Sequence, residues 1–257
     1  MAGHAVRRVL VTGAGSGIGR GVASFLASKG HHVYVTDLNI DPAMAVVDEI
    51  VAKGGSASAH QLDAGNVESI ESVIRGLQEK PNVLVNNAGI QHVSTLEEFP
   101  MDKWQKLVDV MLVGVAALTK AVLPTMRDEG YGRVINIGSV HSLVGSPGKS
   151  AYVAAKHGLI GFSKVMALET GNSNITVNTL CPAYVRTPLV ENQVADQAKL
   201  HGISEEEVIK NIMLRPMPKG RFIEVEELAG TCDFLMSDYA RNITAQAIAL
   251  DGGWTAQ

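Results

Sequence analysis

The chain has 257 residues, of which 46% are hydrophobic and 19% charged, and its formal net charge is −4. This apolar content excludes a wholly disordered chain, and the balanced charge without a basic run excludes the footprint of a nucleic-acid-binding protein. Two cysteines cannot form a disulfide framework, and the apolar run from Val9 stops at Gly13, far short of the roughly 20 residues of a membrane span, so we expect a cytoplasmic protein without a membrane segment.

Short β-branched runs alternate with segments of helical periodicity along the chain. The predicted strands are Arg7–Thr12, His32–Asp37, Ala57–Leu62, Val83–Asn86, Arg133–Gly138, Ile175–Leu180 and Ala247–Leu250. The predicted helices are Ile18–Ser28, Pro42–Lys53, Val67–Gln78, Met101–Arg127, interrupted or bent near Pro124, and Ser150–Glu169. Such alternation is typical of right-handed βαβ units, and it predicts an α/β fold: a doubly wound parallel sheet of about seven strands with helices on both faces.

No repeat, low-complexity tract or linker divides the chain, so residues 1–257 are expected to form a single domain. Only Val190–Arg221 departs from the alternation of strands and helices. It is polar, helical in places and broken by two prolines, Pro216 and Pro218. Its position after the sixth strand predicts a small helical lid over a substrate. A surface excursion without a function is the alternative.

The loop between the first strand and the first helix, Thr12–Gly19, has the sequence TGAGSGIG. Gly13 permits a tight turn, Gly17 lets the backbone approach a pyrophosphate, and Gly19 permits close packing of helix on strand. The free N–H groups and positive dipole end of the following helix would face the phosphates. The loop therefore predicts a dinucleotide site, although the spacing TGxxxGxG differs from the broader GxGxxG fingerprint.

Asp37 stands at the end of the second predicted strand. A carboxylate at this point accepts hydrogen bonds from the adenosine ribose hydroxyls and repels a 2′-phosphate, so it favours NAD over NADP. The alternative is that Asp37 only caps the turn that leads from Asn39 to Ala43.

Three further residues favour catalysis of hydride transfer at a hydroxyl or ketone. Tyr152 and Lys156 are spaced i, i+4 on a predicted helix, and Ser139 lies at the carboxyl end of the fifth strand, where open α/β sheets bind ligands. An ammonium about 4 Å from the phenol supplies roughly 4 kcal/mol, which predicts a tyrosine pKa lowered by about three units. Tyr152 is thus predicted as general acid/base, with Ser139 orienting the same oxygen.

The sequence resembles the short-chain dehydrogenase/reductase family over essentially its whole length. The matching residues are Thr12-Gly13-x3-Gly17-Ile18-Gly19, Asn86-Asn87-Ala88-Gly89, Ser139, Tyr152-x3-Lys156, Pro182 and Thr187, although the usual Pro-Gly is Pro182-Ala183 here. The resemblance implies a single Rossmann-type domain, usually in a homotetramer, that needs NAD and no metal. The cofactor-binding residues it implies, together with the readings above, are Gly13, Ser16, Gly17, Ile18, Gly19, Asp37, Asp63, Asn87, Tyr152, Lys156, Val185 and Thr187. Among these, Asp63 is expected near the adenine, Asn87 near the adenosine and Thr187 near the nicotinamide amide.

Longer stretches resemble the subfamily of bacterial D-3-hydroxybutyrate dehydrogenases. They are residues 86–92, 151–158, 185–190 and 251–256. This resemblance implies a small anionic hydroxy or keto acid as substrate. Its binding residues would be Gln91, Ser139, His141, Lys149, Tyr152, Gln193 and Trp254. One cation among several hydrogen-bond donors is also what a short carboxylate needs.

Two residues depart from the family pattern. Tyr184 stands where the subfamily often has a tryptophan, and Met111 stands where the family has a catalytic asparagine that helps hold a water next to the lysine. A thioether cannot donate a hydrogen bond, so either a backbone carbonyl of this helix holds the water or the relay is broken. The alternatives to a hydroxy-acid dehydrogenase are a 3-oxoacyl-thioester reductase or another short-chain alcohol dehydrogenase on the same fold. A non-catalytic nucleotide-binding module, which a broken relay would support, is the least favoured.

Overall fold

The computed structural model describes residues 6–187, 190–191, 194, 198–199 and 202–256. Seven strands form one sheet: β1 (Arg8–Thr12), β2 (His32–Asp37), β3 (Ser56–Gln61), β4 (Val83–Asn86), β5 (Gly132–Ile137), β6 (Ile175–Pro182) and β7 (Ala247–Leu250). All neighbouring pairs are parallel, in the order β3-β2-β1-β4-β5-β6-β7. The predicted doubly wound parallel sheet is confirmed, and the strand order reverses between β1 and β4.

The central strands are buried on both faces, which is why apolar residues such as Val9, Leu10 and Val11 follow one another without alternating with polar ones. In β1, Val9 and Val11 pack against one layer of helices, whereas Leu10 packs against the other. The first layer contains α1 (Gly17–Ser28), α2 (Ile40–Ala52) and α8 (Val225–Met236). The second contains α3 (Val67–Gly76), α4 (Met101–Val108), α5 (Gly114–Asp128) and α6 (Ser150–Glu169).

Helices α4 and α5 are joined by a five-residue π turn, Asp109–Val113, into one long helix. The sequence predicted an interruption near Pro124, and this is wrong: Pro124 lies inside α5. Pro124 is exposed, so water can hydrate the carbonyl that lacks its N–H partner. The break falls instead where α5 meets the loop after β3, since a Cβ on Gly114 would lie 1.8 Å from the carbonyl oxygen of Ala64.

By length and composition the whole stretch Met101–Asp128 is apolar enough to cross a membrane. Packing inside the protein also accounts for the apolar composition of this stretch, because it contacts α3, α6 and the sheet.

Part of the predicted lid, Val190–Arg221, lies outside the described residues. Its described part contains the short helix α7 (Glu205–Val208), which begins at a capping box between Ser204 and Glu207 and continues into a π turn, Ile209–Met213. Val208 and Met213 are buried with Phe222 in a small apolar cluster that also contacts Tyr184. This part of the segment is therefore packed against the end of β6, where the site lies.

The close contact at Gly114 predicts a large effect of one added methyl group. Gly114→Ala should lower the free energy of unfolding by about 3 kcal/mol, because the methyl meets backbone that cannot turn aside. The matched control is Gly161→Ala in α6, where an added Cβ has nothing within 4 Å and should raise stability by about 0.5–1 kcal/mol. Urea unfolding checks both, and equal stability of the two variants would contradict the contact.

Candidate active site

The glycine loop after β1 is held against the loop after β4. The Thr12 hydroxyl accepts hydrogen bonds from the backbone N–H groups of Asn87 (3.0 Å) and Ala88 (2.9 Å). The Asn87 side-chain amide donates in return to the carbonyls of Thr12 (2.8 Å) and Gly13 (3.1 Å). Asn87, which the family resemblance places near the adenosine, therefore braces the glycine loop, and Thr12 has a role that sequence reasoning did not assign.

Positive φ angles or close contacts require glycine at several points of this loop, including Gly17, whose φ is +53°. Gly13 has a φ of +60°, and a Cβ on Gly19 would lie 2.3 Å from the Gly13 carbonyl oxygen. At Gly17, by contrast, an added Cβ would meet only the Thr187 methyl group at 3.8 Å. The Ser16 side chain does not cap the helix that starts there, so N–H groups of its first turn are available to a ligand. The cradle thus fits a pyrophosphate.

Two carboxylates follow the neighbouring strands. Asp37 accepts hydrogen bonds from the N–H groups of Gly15 (3.0 Å) and Asn39 (3.3 Å), one on each oxygen. It therefore shapes the turn, as the alternative reading had it, and each oxygen retains a lone pair for a ligand. Asp63 accepts the N–H of Gly65 at 2.8 Å and orders the turn after β3.

The segment after β6 closes the other side of the cradle. Val185 forms an isolated parallel bridge with Ile223 and is buried in a cluster that includes Ile18 of α1. Thr187 is also buried, and its methyl group faces Gly17. The structure thus brings Ile18, Val185 and Thr187 together at the glycine loop.

Lys156 is enclosed at the base of the site, with 4% of its surface exposed. Its ammonium donates to the Ile137 carbonyl at 2.6 Å and lies 5.6 Å from the centre of the Tyr152 ring. Burial lowers the pKa of Lys156 to about 8. The sequence did not indicate the Ile137 carbonyl as its partner, because a backbone acceptor has no sequence signal.

The predicted direction of the Tyr152 pKa is not what the structure shows. Burial raises the pKa of Tyr152, and only the hydrogen bond with Ser139 works in the opposite direction. The sequence argument placed an ammonium about 4 Å from the phenol and neglected the cost of burying a phenolate. The Ser139 hydroxyl accepts the N–H of His141 at 3.1 Å, which leaves its own hydrogen free for the tyrosine or a substrate oxygen.

His141 and Lys149 form a second polar group beside the catalytic residues. The Lys149 ammonium lies 3.5 Å from Nε2 of His141. Burial, and secondarily the charge of Lys149, lowers the pKa of His141 to about 4, so the ring is neutral at pH 7. Burial also lowers the pKa of Lys149. Among the residues that the structure describes, no carboxylate forms an ion pair with Lys149.

An aromatic wall stands next to this pair. Trp254 contacts His141 edge-on at 5.9 Å between ring centres and Tyr184 at 6.0 Å. Asp251 holds the turn that carries Trp254, since it accepts hydrogen bonds from the N–H groups of Gly253 and Thr255. Although burial alone would raise it, these bonds lower the pKa of Asp251. Tyr184 therefore belongs to the same wall as Trp254.

Two of the predicted substrate residues, Gln91 and Gln193, remain predictions. Gln91 is exposed, and its side-chain oxygen accepts the N–H of His92 at 3.1 Å. Gln193 lies outside the described residues. Met111, in contrast, is 1% exposed within the π turn, with its sulfur facing Gly89.

Comparison with known proteins agrees with this geometry. The family model for short chain dehydrogenases matches residues 7–198. A D-beta-hydroxybutyrate dehydrogenase of Rhizobium meliloti is 41% identical over 256 residues, which cover 98% of this chain and 99% of that protein. A 3-oxoacyl-[acyl-carrier-protein] reductase of Synechocystis is 39% identical over 249 residues, or 95% of each chain. A solved structure from Beutenbergia cavernae, provisionally assigned as an NAD(P)-dependent gluconate 5-dehydrogenase with bound NADP, is 34% identical with a TM-score of 0.88 and covers 98% of this chain and 97% of that one.

The burial of neutral His141 predicts a specific acid sensitivity. Its pKa is 6.5 when unfolded and about 4 when folded, so the unfolded state binds more protons between these values. The free energy of unfolding should therefore fall by up to about 3 kcal/mol from this group as pH drops from 6.5 to 4. Urea unfolding across this range should show a weaker pH dependence in His141→Gln than in His157→Gln, which changes an exposed histidine of α6. Identical pH dependence in the two variants would refute the assignment.

Proposed function

This chain belongs to the short-chain dehydrogenase family and is an oxidoreductase that uses a nicotinamide cofactor, and on that premise we propose that it oxidises D-3-hydroxybutyrate to acetoacetate with NAD. The observation that carries the choice of substrate is the half-buried Lys149 beside neutral His141, with no carboxylate partner among the described residues. A partly desolvated cation of this kind is stabilised by an anion of the substrate.

The carboxylate of a short hydroxy acid matches the size and charge of this position. Lys149 supplies the cation, and neutral His141 adds no second charge that would have to be balanced. Trp254 and Tyr184 form an apolar wall next to the pair, which favours a short chain over a long one. The substrate hydroxyl would then face Tyr152 and Ser139.

Tyr152 accepts the proton of the substrate hydroxyl in this proposal. The nearby Lys156 ammonium favours the phenolate that accepts it, and the Ser139 hydroxyl donates a hydrogen bond to the substrate oxygen. A bound nicotinamide ring supplies the hydride acceptor. In ketone reduction the same phenol returns the proton.

NAD rather than NADP is proposed from Asp37. Its two oxygens each retain a lone pair at the end of β2, which suits ribose hydroxyls and opposes a 2′-phosphate. The Gly17 cradle and the first turn of α1 would hold the pyrophosphate, and Thr187 would lie on the nicotinamide side. The related Beutenbergia cavernae structure contains NADP. We therefore expect the residues around the adenosine ribose, above all Asp37, to decide between NAD and NADP.

Reduction of 3-oxoacyl thioesters is the second candidate. It is favoured by the 39% identity with the Synechocystis reductase. A thioester carries no carboxylate at the position that Lys149 would bind, which is why we place this activity second.

We also propose a homotetramer of this single-domain chain in the cytoplasm. Tyr239 is 88% exposed and Phe234 is half exposed near the end of α8, and β7 is an edge strand of the sheet. Association of subunits would bury exposed aromatic side chains and an open sheet edge of this kind.

Replacing the cation of the pocket tests the substrate. Lys149→Met should raise KM for D-3-hydroxybutyrate by roughly 30-fold or more, since losing one partner of a buried charge pair costs about 2–5 kcal/mol. Rates of NADH formation with the acid and its methyl ester, in parent and variant, are the measurement. Lys164→Met, which changes an exposed lysine of the same helix, should behave as the parent. Equal use of acid and ester by the parent protein would overturn the carboxylate pocket.

Removing the charge of Asp37 tests the cofactor. Asp37→Asn keeps an oxygen for the Gly15 N–H, so the loop should persist while repulsion of a 2′-phosphate disappears. The ratio of kcat/KM for NADP to that for NAD should rise by roughly tenfold or more. Asp41→Asn in the exposed first turn of α2 is the control. A parent protein that prefers NADP would contradict this reading of Asp37.

A substitution at Met111 tests whether a water is held next to the lysine without the family's asparagine. A π turn leaves a backbone carbonyl without its usual helical partner, and such turns are frequent at functional sites. If that carbonyl holds the water, the parent is active and Met111→Asn changes kcat by less than about tenfold, or 1.4 kcal/mol. Rate profiles against pH for both forms decide the matter. A large gain in the variant over an almost inactive parent would show that the thioether breaks the relay.

A further inference from the structure

A second serine lies directly behind Ser139. Ser142 is 1% exposed and ends the short 3₁₀ turn, Val140–Ser142, that follows the catalytic serine. We propose that Ser142 is a positioning residue that fixes the orientation of the Ser139 hydroxyl toward Tyr152. This inference rests on the proposed role of Ser139 as hydrogen-bond partner of Tyr152 and of the substrate oxygen.

The two serines hold one another through a closed set of hydrogen bonds. The Ser142 hydroxyl accepts the N–H of Ser139 at 3.1 Å, and the Ser142 N–H donates to the Ser139 carbonyl at 2.8 Å. The Ser139 hydroxyl accepts the N–H of His141 at 3.1 Å. Two backbone atoms and the side-chain oxygen of Ser139 are thus tied down, and its hydroxyl hydrogen is left to donate toward the site.

Packing keeps the Ser142 hydroxyl in place. A Cβ on Gly138 would lie 2.8 Å from Oγ of Ser142 and 2.7 Å from the Thr179 methyl group, so only glycine leaves room for the hydroxyl. Cys181 of β6 lies on its other side. Burial raises the pKa of this thiol, while hydrogen bonding with the Ser142 side chain and the Ser139 backbone acts against the rise. The Ser142 hydroxyl therefore occupies a closed site between two strands.

Ser142 acts only through Ser139. Without its hydroxyl, the buried N–H of Ser139 loses its acceptor, and an unpaired buried N–H favours a shift of the turn. Such a shift would move the Ser139 hydroxyl relative to the phenol. Because the hydrogen bond with Ser139 limits the rise that burial causes in the Tyr152 pKa, this pKa should rise further when the Ser139 hydroxyl moves.

A double-mutant cycle separates positioning from general damage. Ser142→Ala should lower kcat for hydroxy-acid oxidation by about three- to tenfold, the worth of one hydrogen bond, with little change in the Kd of NAD. In the Ser139→Ala background the same substitution should have almost no further effect, since the hydroxyl that it positions is absent. An equal loss of kcat in both backgrounds would overturn the proposal.

A spectroscopic titration gives a readout besides activity. The ultraviolet difference absorbance between each protein and its Tyr152→Phe counterpart reports ionisation of this phenol, and we expect its pKa to rise in Ser142→Ala. Ser150→Ala is the matched control, because the Ser150 hydroxyl is buried at the start of α6, which packs against the turn of Ser142, but has no hydrogen-bond partner among the described residues. Unchanged titration and rate in Ser142→Ala, with Ser139→Ala impaired, would refute only this inference. Full activity of Ser139→Ala would refute the proposed mechanism itself.

Discussion

Close contact between the glycine loop and the loop after β4 is the constraint on which the rest of the site depends. The Gly19 Cα faces the Gly13 carbonyl so closely that a methyl group would lie 2.3 Å from it, and Asn87 bonds both Thr12 and Gly13. This contact sets where α1 starts, and hence where its first N–H groups point. With the strand order reversing at the same place, a ligand crevice opens directly above.

Burial of cationic and neutral groups without carboxylates gives the site its chemistry. Among the described residues, the Lys156 ammonium hydrogen-bonds a backbone carbonyl and no carboxylate, and Lys149 lies against a histidine that burial keeps neutral. The free-energy cost of removing each ammonium from water is therefore only partly offset by its hydrogen-bond partners. In the proposed mechanism, the Lys156 ammonium would stabilise negative charge that develops on Tyr152, and the Lys149 ammonium would bind an anionic substrate.

Two buried residues near the proposed catalytic groups are accommodated by local structure. Met111 fills a packed position inside the π turn, and the same turn lets α5 press against Ala64 at Gly114. Ser142 fills the space that Gly138 leaves open.

The sequence alone determined the parallel sheet, the glycine loop and the Ser139, Tyr152 and Lys156 set, because periodicity and residue type are local properties. Only the tertiary structure decided the direction of the Tyr152 pKa, the bracing role of Asn87, the π turn in place of an interruption at Pro124, and the exposure of Gln91. Desolvation, backbone acceptors and close contacts all depend on which distant segments meet, and a linear pattern does not contain those distances.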